Sequence, residues 1–328
     1  MLDLSRGQEK HGTHGKKRQA CPAERKPIIA ASAAIIGLRR VSLASVILSF
    51  ALVVWGAVVR VNGAGMTCPD WPRCQGAWLP ALDNATVYEW SHRLGAIIVT
   101  VIIALTFVMA WRCRTELPTA LRAAWAGVGL IVAQIIAGWL TIKFQNNPPS
   151  VALHLVIGFL TFITLLIIAV IARSGPAPPR RAQTREFARL ALVCTIIAFI
   201  AVFAAGYMSA ANDGIACLGF PLCNGFAGAM STAQQIHMGH RFAAYATIAA
   251  VLIATGVAIT TQRARKDIMT VSWLALGLVL LQGALGALTV ITRLDPILRV
   301  WHEANGALLT GTLAVLTYIA YHGQRATS

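Results

Sequence analysis

Four histidines recur as two pairs. His92 and His154 lie in the first half of the chain and His240 and His302 in the second, each 148 residues from its counterpart. The segments between them keep step: Gly129, Leu130, Gln134, Gly138, Leu140 and Thr141 return without a gap as Gly277, Leu278, Gln282, Gly286, Leu288 and Thr289. Cys68 and Cys74 return at a spacing of 149 as Cys217 and Cys223, and Pro72 as Pro221. Neutral imidazole is a good axial ligand for porphyrin iron. A duplicated unit carrying two histidines therefore predicts two metal or haem sites built alike. Zinc suits the pattern less well, because no single loop holds a Cys/His cluster with zinc spacing. The alternative use, a histidine hydrogen-bonded inside a helical bundle, explains one such residue better than four at matched positions.

The neighbours of these histidines differ between the halves. Glu89 stands three residues before His92, where the repeat puts His237 before His240. On a continuous helix that spacing places both side chains on one face. The asymmetry predicts that the first half reacts and the second keeps a permanent cofactor, although Glu89 could instead complement a helix dipole. Arg93 and Arg241 each follow a candidate ligand and could pair with a haem propionate or snorkel to lipid headgroups. Glu303 adjoins His302 with Leu155 as its counterpart, and no role is assigned to it. The pairs Cys68–Cys74 and Cys217–Cys223 suit loop disulfides on an oxidising side or a redox relay. Cys21, Cys113 and Cys194 lack partners; Cys194 reads as a bundle-core residue. Trp71, Trp78, Trp90, Trp139 and Trp301 read as an interfacial aromatic belt.

Hydrophobic residues make up 57% of the 328-residue chain and charged ones 12%, and the mean hydropathy is +0.66. A helix needs about 20 apolar residues to cross the hydrocarbon core. Such runs occur at 41–60, 92–111, 121–142, 151–172, 187–209, 239–260, 269–291 and 299–320, and none alternates as a barrel strand does. The expectation is an all-α membrane protein of eight transmembrane helices, arranged as two tandem four-helix bundles related by a pseudo-two-fold axis along the membrane normal. The first bundle spans 41–172 and the second 187–321. Residues 1–40 read as a basic, disordered tail and 173–186 as a Pro-rich linker. Ser150 is a candidate cap for the fourth helix, after Pro148 and Pro149.

The net charge of +16 would suit a nucleic-acid binder, but its distribution does not. Nine Lys/Arg precede residue 41, and others cluster at 112–122, 173–189 and 263–266, whereas 211–236 has none. All the basic clusters fall on one side of an eight-span scheme. The positive-inside rule then makes both termini cytoplasmic and puts the histidines near the outer surface of a cell membrane. Contact with anionic lipid is expected, and nucleic acid is not.

Taken together, Glu89-x-x-His92-Arg93, the loop Cys68-Pro69-Asp70-Trp71-Pro72-Arg73-Cys74, His237-Met238-Gly239-His240-Arg241 and the duplicated plan resemble the heme A synthase family over about 41–321. The resemblance implies oxidation of the methyl at porphyrin position 8 of haem O to a formyl group, giving haem A for terminal oxidases. It implies His92 and His154 around the substrate, His240 and His302 as axial ligands of a haem b cofactor, Glu89 as the catalytic carboxylate, and disulfides Cys68–Cys74 and Cys217–Cys223. Expected partners are haem O delivered by a haem-farnesylating enzyme, an unidentified electron donor or acceptor, and a second copy of the chain. Two rival readings use some of the same features. A di-haem membrane cytochrome linked to quinol would need the four histidines but not Glu89. A parallel-repeat transporter would explain the duplication but not histidines at one depth.

Overall fold

The computed structural model describes residues 33–81, 83, 85–175, 185–223 and 229–322. These residues form eight long helices: α1 (Ala33–Val61), α2 (Thr86–Arg112), α3 (Pro118–Lys143), α4 (Pro148–Ser174), α5 (Arg185–Ala210), α6 (Thr232–Thr261), α7 (Lys266–Ile291) and α8 (Pro296–His322), with one 3-10 turn at Asp213–Ile215 between α5 and α6. All eight, at 26 to 30 residues, are long and apolar enough to cross a membrane. Most of the expected tail, most of the expected linker, and Cys21 lie outside the described residues.

The helices outrun the apolar segments that announced them. α1 already includes Arg39 and Arg40, and α2 already includes Glu89. Hydropathy marks only the part of a helix that meets hydrocarbon, while backbone hydrogen bonding continues into its polar ends. The even helices all begin at the end of the molecule that carries the two cysteine loops, and each start has its own stop for orphan amides. Asp83 Oδ1 accepts from the amides of Thr86 (2.6 Å) and Ala85 (3.1 Å) ahead of α2. The Thr86 amide and hydroxyl hold that carboxyl below its usual range. Ser231 and Gln234 form a capping box on α6, and Asp295 receives the Ile297 and Leu298 amides on α8. On α4 the cap is Asn147, which accepts from the Ser150 amide at 3.1 Å. Ser150, the residue expected there, sits one turn inside because Pro148 itself opens the helix; its hydroxyl donates to the Asn147 carbonyl.

At the opposite end, basic side chains close helix C-termini. Arg39 donates to the carbonyls of Ala172 and Arg173 at the end of α4. Arg265, paired with Asp267, does the same for the Ile319 carbonyl near the end of α8.

The two halves share one packing plan. α1 packs on α2 and α4, and α3 on the same two; α5 packs on α6 and α8, and α7 on the same two. The halves meet where α1, α4, α5 and α8 adjoin. That seam is apolar, built on Phe159, Phe162, Ile163 and Ala307. It is also tight. A Cβ on Gly311 would lie 3.1 Å from Phe162 and Leu166, and one on Gly206 would lie 3.1 Å from the Ala152 backbone. Small residues permit such approach where lipid removes the usual hydrophobic drive between helices. Other large apolar side chains, such as Val132 and Ile136 on α3 and Leu280 and Leu281 on α7, face outward, as lipid requires.

Candidate functional site

In the second half, His240 on α6 and His302 on α8 approach each other with ring centroids 6.5 Å apart and planes at 82°. Two imidazole–metal bonds of about 2 Å each, plus about 1 Å from each nitrogen to its ring centre, would separate the rings by about 6 Å. The spacing therefore suits one iron between two imidazoles. His240 Nδ1 lies 3.1 Å from the Ala201 carbonyl on α5, a contact that fixes the ring. His302 fits its slot because Gly286 on α7 has no side chain; a Cβ there would stand 3.1 Å from His302 Cε1. Gln282 donates to the His302 carbonyl (3.0 Å) and reaches its Nε2 (3.3 Å). Asn305 in turn donates to Gln282 Oε1 (2.7 Å) and to the Leu278 carbonyl (3.0 Å).

The first half repeats the frame with fewer restraints. Gly56 makes room for the His92 ring and Gly138 for the His154 ring, with hypothetical Cβ atoms 3.3 and 3.2 Å from the respective Cε1 atoms. Gln134 Nε2 lies 3.3 Å from His154 Nε2. Among the described residues, His92 Nδ1, His154 Nδ1, His302 Nδ1 and Gln134 Oε1 are buried without a partner, although buried polar atoms are normally paired. No cluster of three or more His, Cys, Asp or Glu occurs among the described residues. Paired neutral imidazoles in glycine-lined slots fit a flat metallomacrocycle rather than a bare ion held by protein alone.

Glu89 is 4% exposed. Its Oε2 accepts from the Cys68 amide (2.9 Å) and the Thr67 hydroxyl (3.0 Å), and its Oε1 from Arg93 (2.7 Å). The loop between α1 and α2 thus orients Oε2, and Arg93 of α2 orients Oε1. That loop is closed by the disulfide Cys68–Cys74, with Cα atoms 4.5 Å apart. Arg93 holds it from inside, donating to the carbonyls of Cys68 (2.6 Å), Asp70 (2.6 Å) and Arg73 (2.5 Å). The second half does likewise. Arg241 donates to the carbonyls of Cys217 (2.8 Å), Gly219 (2.6 Å) and Pro221 (3.2 Å) in the loop closed by Cys217–Cys223. The two arginines, read from the sequence as either propionate partners or snorkelling residues, hold the cysteine loops. Sequence gave no sign of this, because the acceptors are backbone carbonyls. At the Glu89 position of the second half, His237 Nδ1 lies 3.1 Å from the Asp213 carbonyl.

Among the described residues, one ion pair crosses the seam. Arg60 near the end of α1 meets Glu303 on α8, the residue next to His302. Residue type and spacing did not single out Arg60, although an arginine so near the end of an apolar helix, with Glu303 unmatched in the repeat, was the available signal.

Residues 39–314 match the model of the cytochrome oxidase assembly protein family, COX15-CtaA. The chain belongs to this family. Members named heme A synthase are similar over most of their length. The Geobacillus kaustophilus protein is 29% identical over 289 residues, covering 84% of this chain and 89% of the relative. The Bacillus licheniformis protein is 25% identical over 266 residues, covering 79% and 87%. The Symbiobacterium thermophilum protein is 26% identical over 300 residues, covering 87% and 94%. With eight apolar helices and these relatives, this COX15-CtaA member is a multi-pass membrane protein.

Proposed function

We propose that this chain makes haem A, oxidising the methyl at porphyrin position 8 of haem O to a formyl group. The substrate lies between His92 and His154, and a resident haem b is held by His240 and His302. The halves are related by a pseudo-two-fold axis along the membrane normal, and both termini are cytoplasmic. The relatives' shared name supports haem A as product. The observation that carries the division of labour is the buried Glu89 carboxylate, one helical turn from His92 and replaced by His237 in the other half.

When bound, haem b supplies a one-electron carrier. The protein's part is positional. His92 and His154 orient the substrate; Arg93, the Cys68 amide and the Thr67 hydroxyl fix Glu89. Glu89 then accepts a proton, or stabilises positive charge developing near the methyl. With water supplying the oxygen and an external electron acceptor taking two electrons at each step as two protons leave, two successive oxidations would convert methyl to hydroxymethyl and then to the geminal diol, which loses water to give the aldehyde.

The test is product analysis of the purified chain after co-expression with a source of haem O. Extracted porphyrins should include haem A or the hydroxymethyl compound beside haem b. Haem b alone, in a sample with ample haem O, would convert the assignment to an electron-transfer cytochrome.

A further inference from the structure

The halves differ in how they hold one carboxamide. Gln282 is tied at both ends: Oε1 accepts from Asn305, and Nε2 donates to the His302 carbonyl. Gln134, its counterpart, has one polar contact among the described residues, to His154 Nε2, and its Oε1 is buried without a partner there. The cause is a single position, because the residue matching Asn305 is Ile157. Turning the Gln134 amide over would exchange which end lacks a partner without supplying one. A Cβ on Gly158 would lie 3.2 Å from Gln134 Nε2, so the space the carboxamide occupies is itself kept open by the absence of a side chain. An iron taking the His154 Nε2 lone pair would displace the amide from its one contact. Gln282, displaced in the same way, would keep Asn305.

We propose that Gln134 is a substrate-positioning residue, its free carboxamide oxygen accepting a hydrogen bond from a hydroxyl carried by the porphyrin in the first half. The inference rests on the proposed haem O site. It explains why the reacting half leaves this group bare while the half assigned a permanent cofactor satisfies it internally. An unpaired buried acceptor discriminates strongly for a ligand that supplies the donor. Two hydroxyls qualify: the one on the hydroxyalkyl side chain of haem O, and the one formed at the methyl after the first oxidation.

The test uses purified full-length chain carrying its resident haem, comparing wild type with Gln134→Leu and Ile157→Asn. The second variant installs the missing internal partner and leaves Gln134 in place. Binding of added haem O and haem B is titrated by absorbance, and products are separated by chromatography. If the side-chain hydroxyl is the ligand, both variants bind haem O about three- to tenfold more weakly, with haem B binding unchanged. If the newly formed hydroxyl is the ligand, haem O binding stays and the ratio of hydroxymethyl to formyl product rises by a similar factor. Should Gln134→Leu lose its resident haem, Ile157→Asn decides. Unchanged haem O affinity together with an unchanged product ratio in a haem-retaining variant overturns the proposal. A wild-type chain that binds no haem O defeats the functional assignment instead.

Discussion

At the scale of single residues, the site depends on which atoms are left without side chains as much as on which side chains are present. Gly286 and Gly138 each leave a slot for a histidine, and an added Cβ would stand only 3.1 and 3.2 Å from the respective Cε1 atoms. Gly286→Val should therefore turn His302 out of line and abolish resident haem, read as loss of the b-type absorbance in purified protein. Gly138→Val should spare that absorbance and remove haem O binding. Glu89→Gln should keep both haem pockets filled yet lower product formation by about 10²- to 10⁴-fold, the range for loss of a positioned acid–base group. Wild-type rates in that variant would remove Glu89 from the chemistry. The histidines, Glu89 and the cysteines were legible in the sequence because the duplication lined them up. The partners of Arg93 and Arg241 were not, since a loop's carbonyls have no signature in side-chain identity.

At the scale of elements, each cysteine loop is a cap tied to a helix by one guanidinium. Only the first loop also carries the donors that orient the unmatched carboxylate. Arg93→Ala removes donors from three loop carbonyls and from Glu89 together. It should raise hydrogen exchange across 64–77 and reduce product formation nearly as far as the Glu89 variant does. Arg241→Ala should loosen 217–223 to a similar degree with a smaller loss of product, because His237 is held by the Asp213 carbonyl rather than by Arg241. Equal losses of product in the two variants would mean that loop order, not carboxylate orientation, is what matters. The helices themselves were readable from runs of apolar residues; their ends were not. Capping by Asn147 rather than Ser150 was decided by where Pro148 could sit, a matter of backbone geometry within one turn.

At the scale of the whole molecule, two similar bundles share a seam that is apolar at its centre and charged at the loop end. The Arg60–Glu303 pair joins them beside His302. Removing one partner strands a partly buried charge, and such losses cost about 3–5 kcal/mol. Arg60→Leu and Glu303→Leu should each lower the thermal midpoint, and the double variant should recover part of the loss, as measured by a double-mutant cycle. Additive losses would show that the pair contributes nothing as a pair. The basic clusters predict the orientation: cysteines introduced at 78 and 293 should react with an impermeant maleimide applied from outside, whereas one at 115 should not. The reverse pattern would move the haem pockets to the cytoplasmic side.

Sequence alone determined that this chain has eight long apolar spans and a duplicated pattern, and it singled out four imidazoles and one unmatched carboxylate as the candidates for the chemistry. Each of these is a property of residue type and period, and survives without coordinates. Only the tertiary structure decided what surrounds them: Arg93 as the clamp joining loop to carboxylate, Arg60 reaching across the seam, and Gln134 bare where Gln282 is satisfied. Those facts depend on residues far apart in the chain meeting at hydrogen-bond distance. A partner that is a backbone carbonyl, or one that is missing altogether, leaves no mark in the order of side chains.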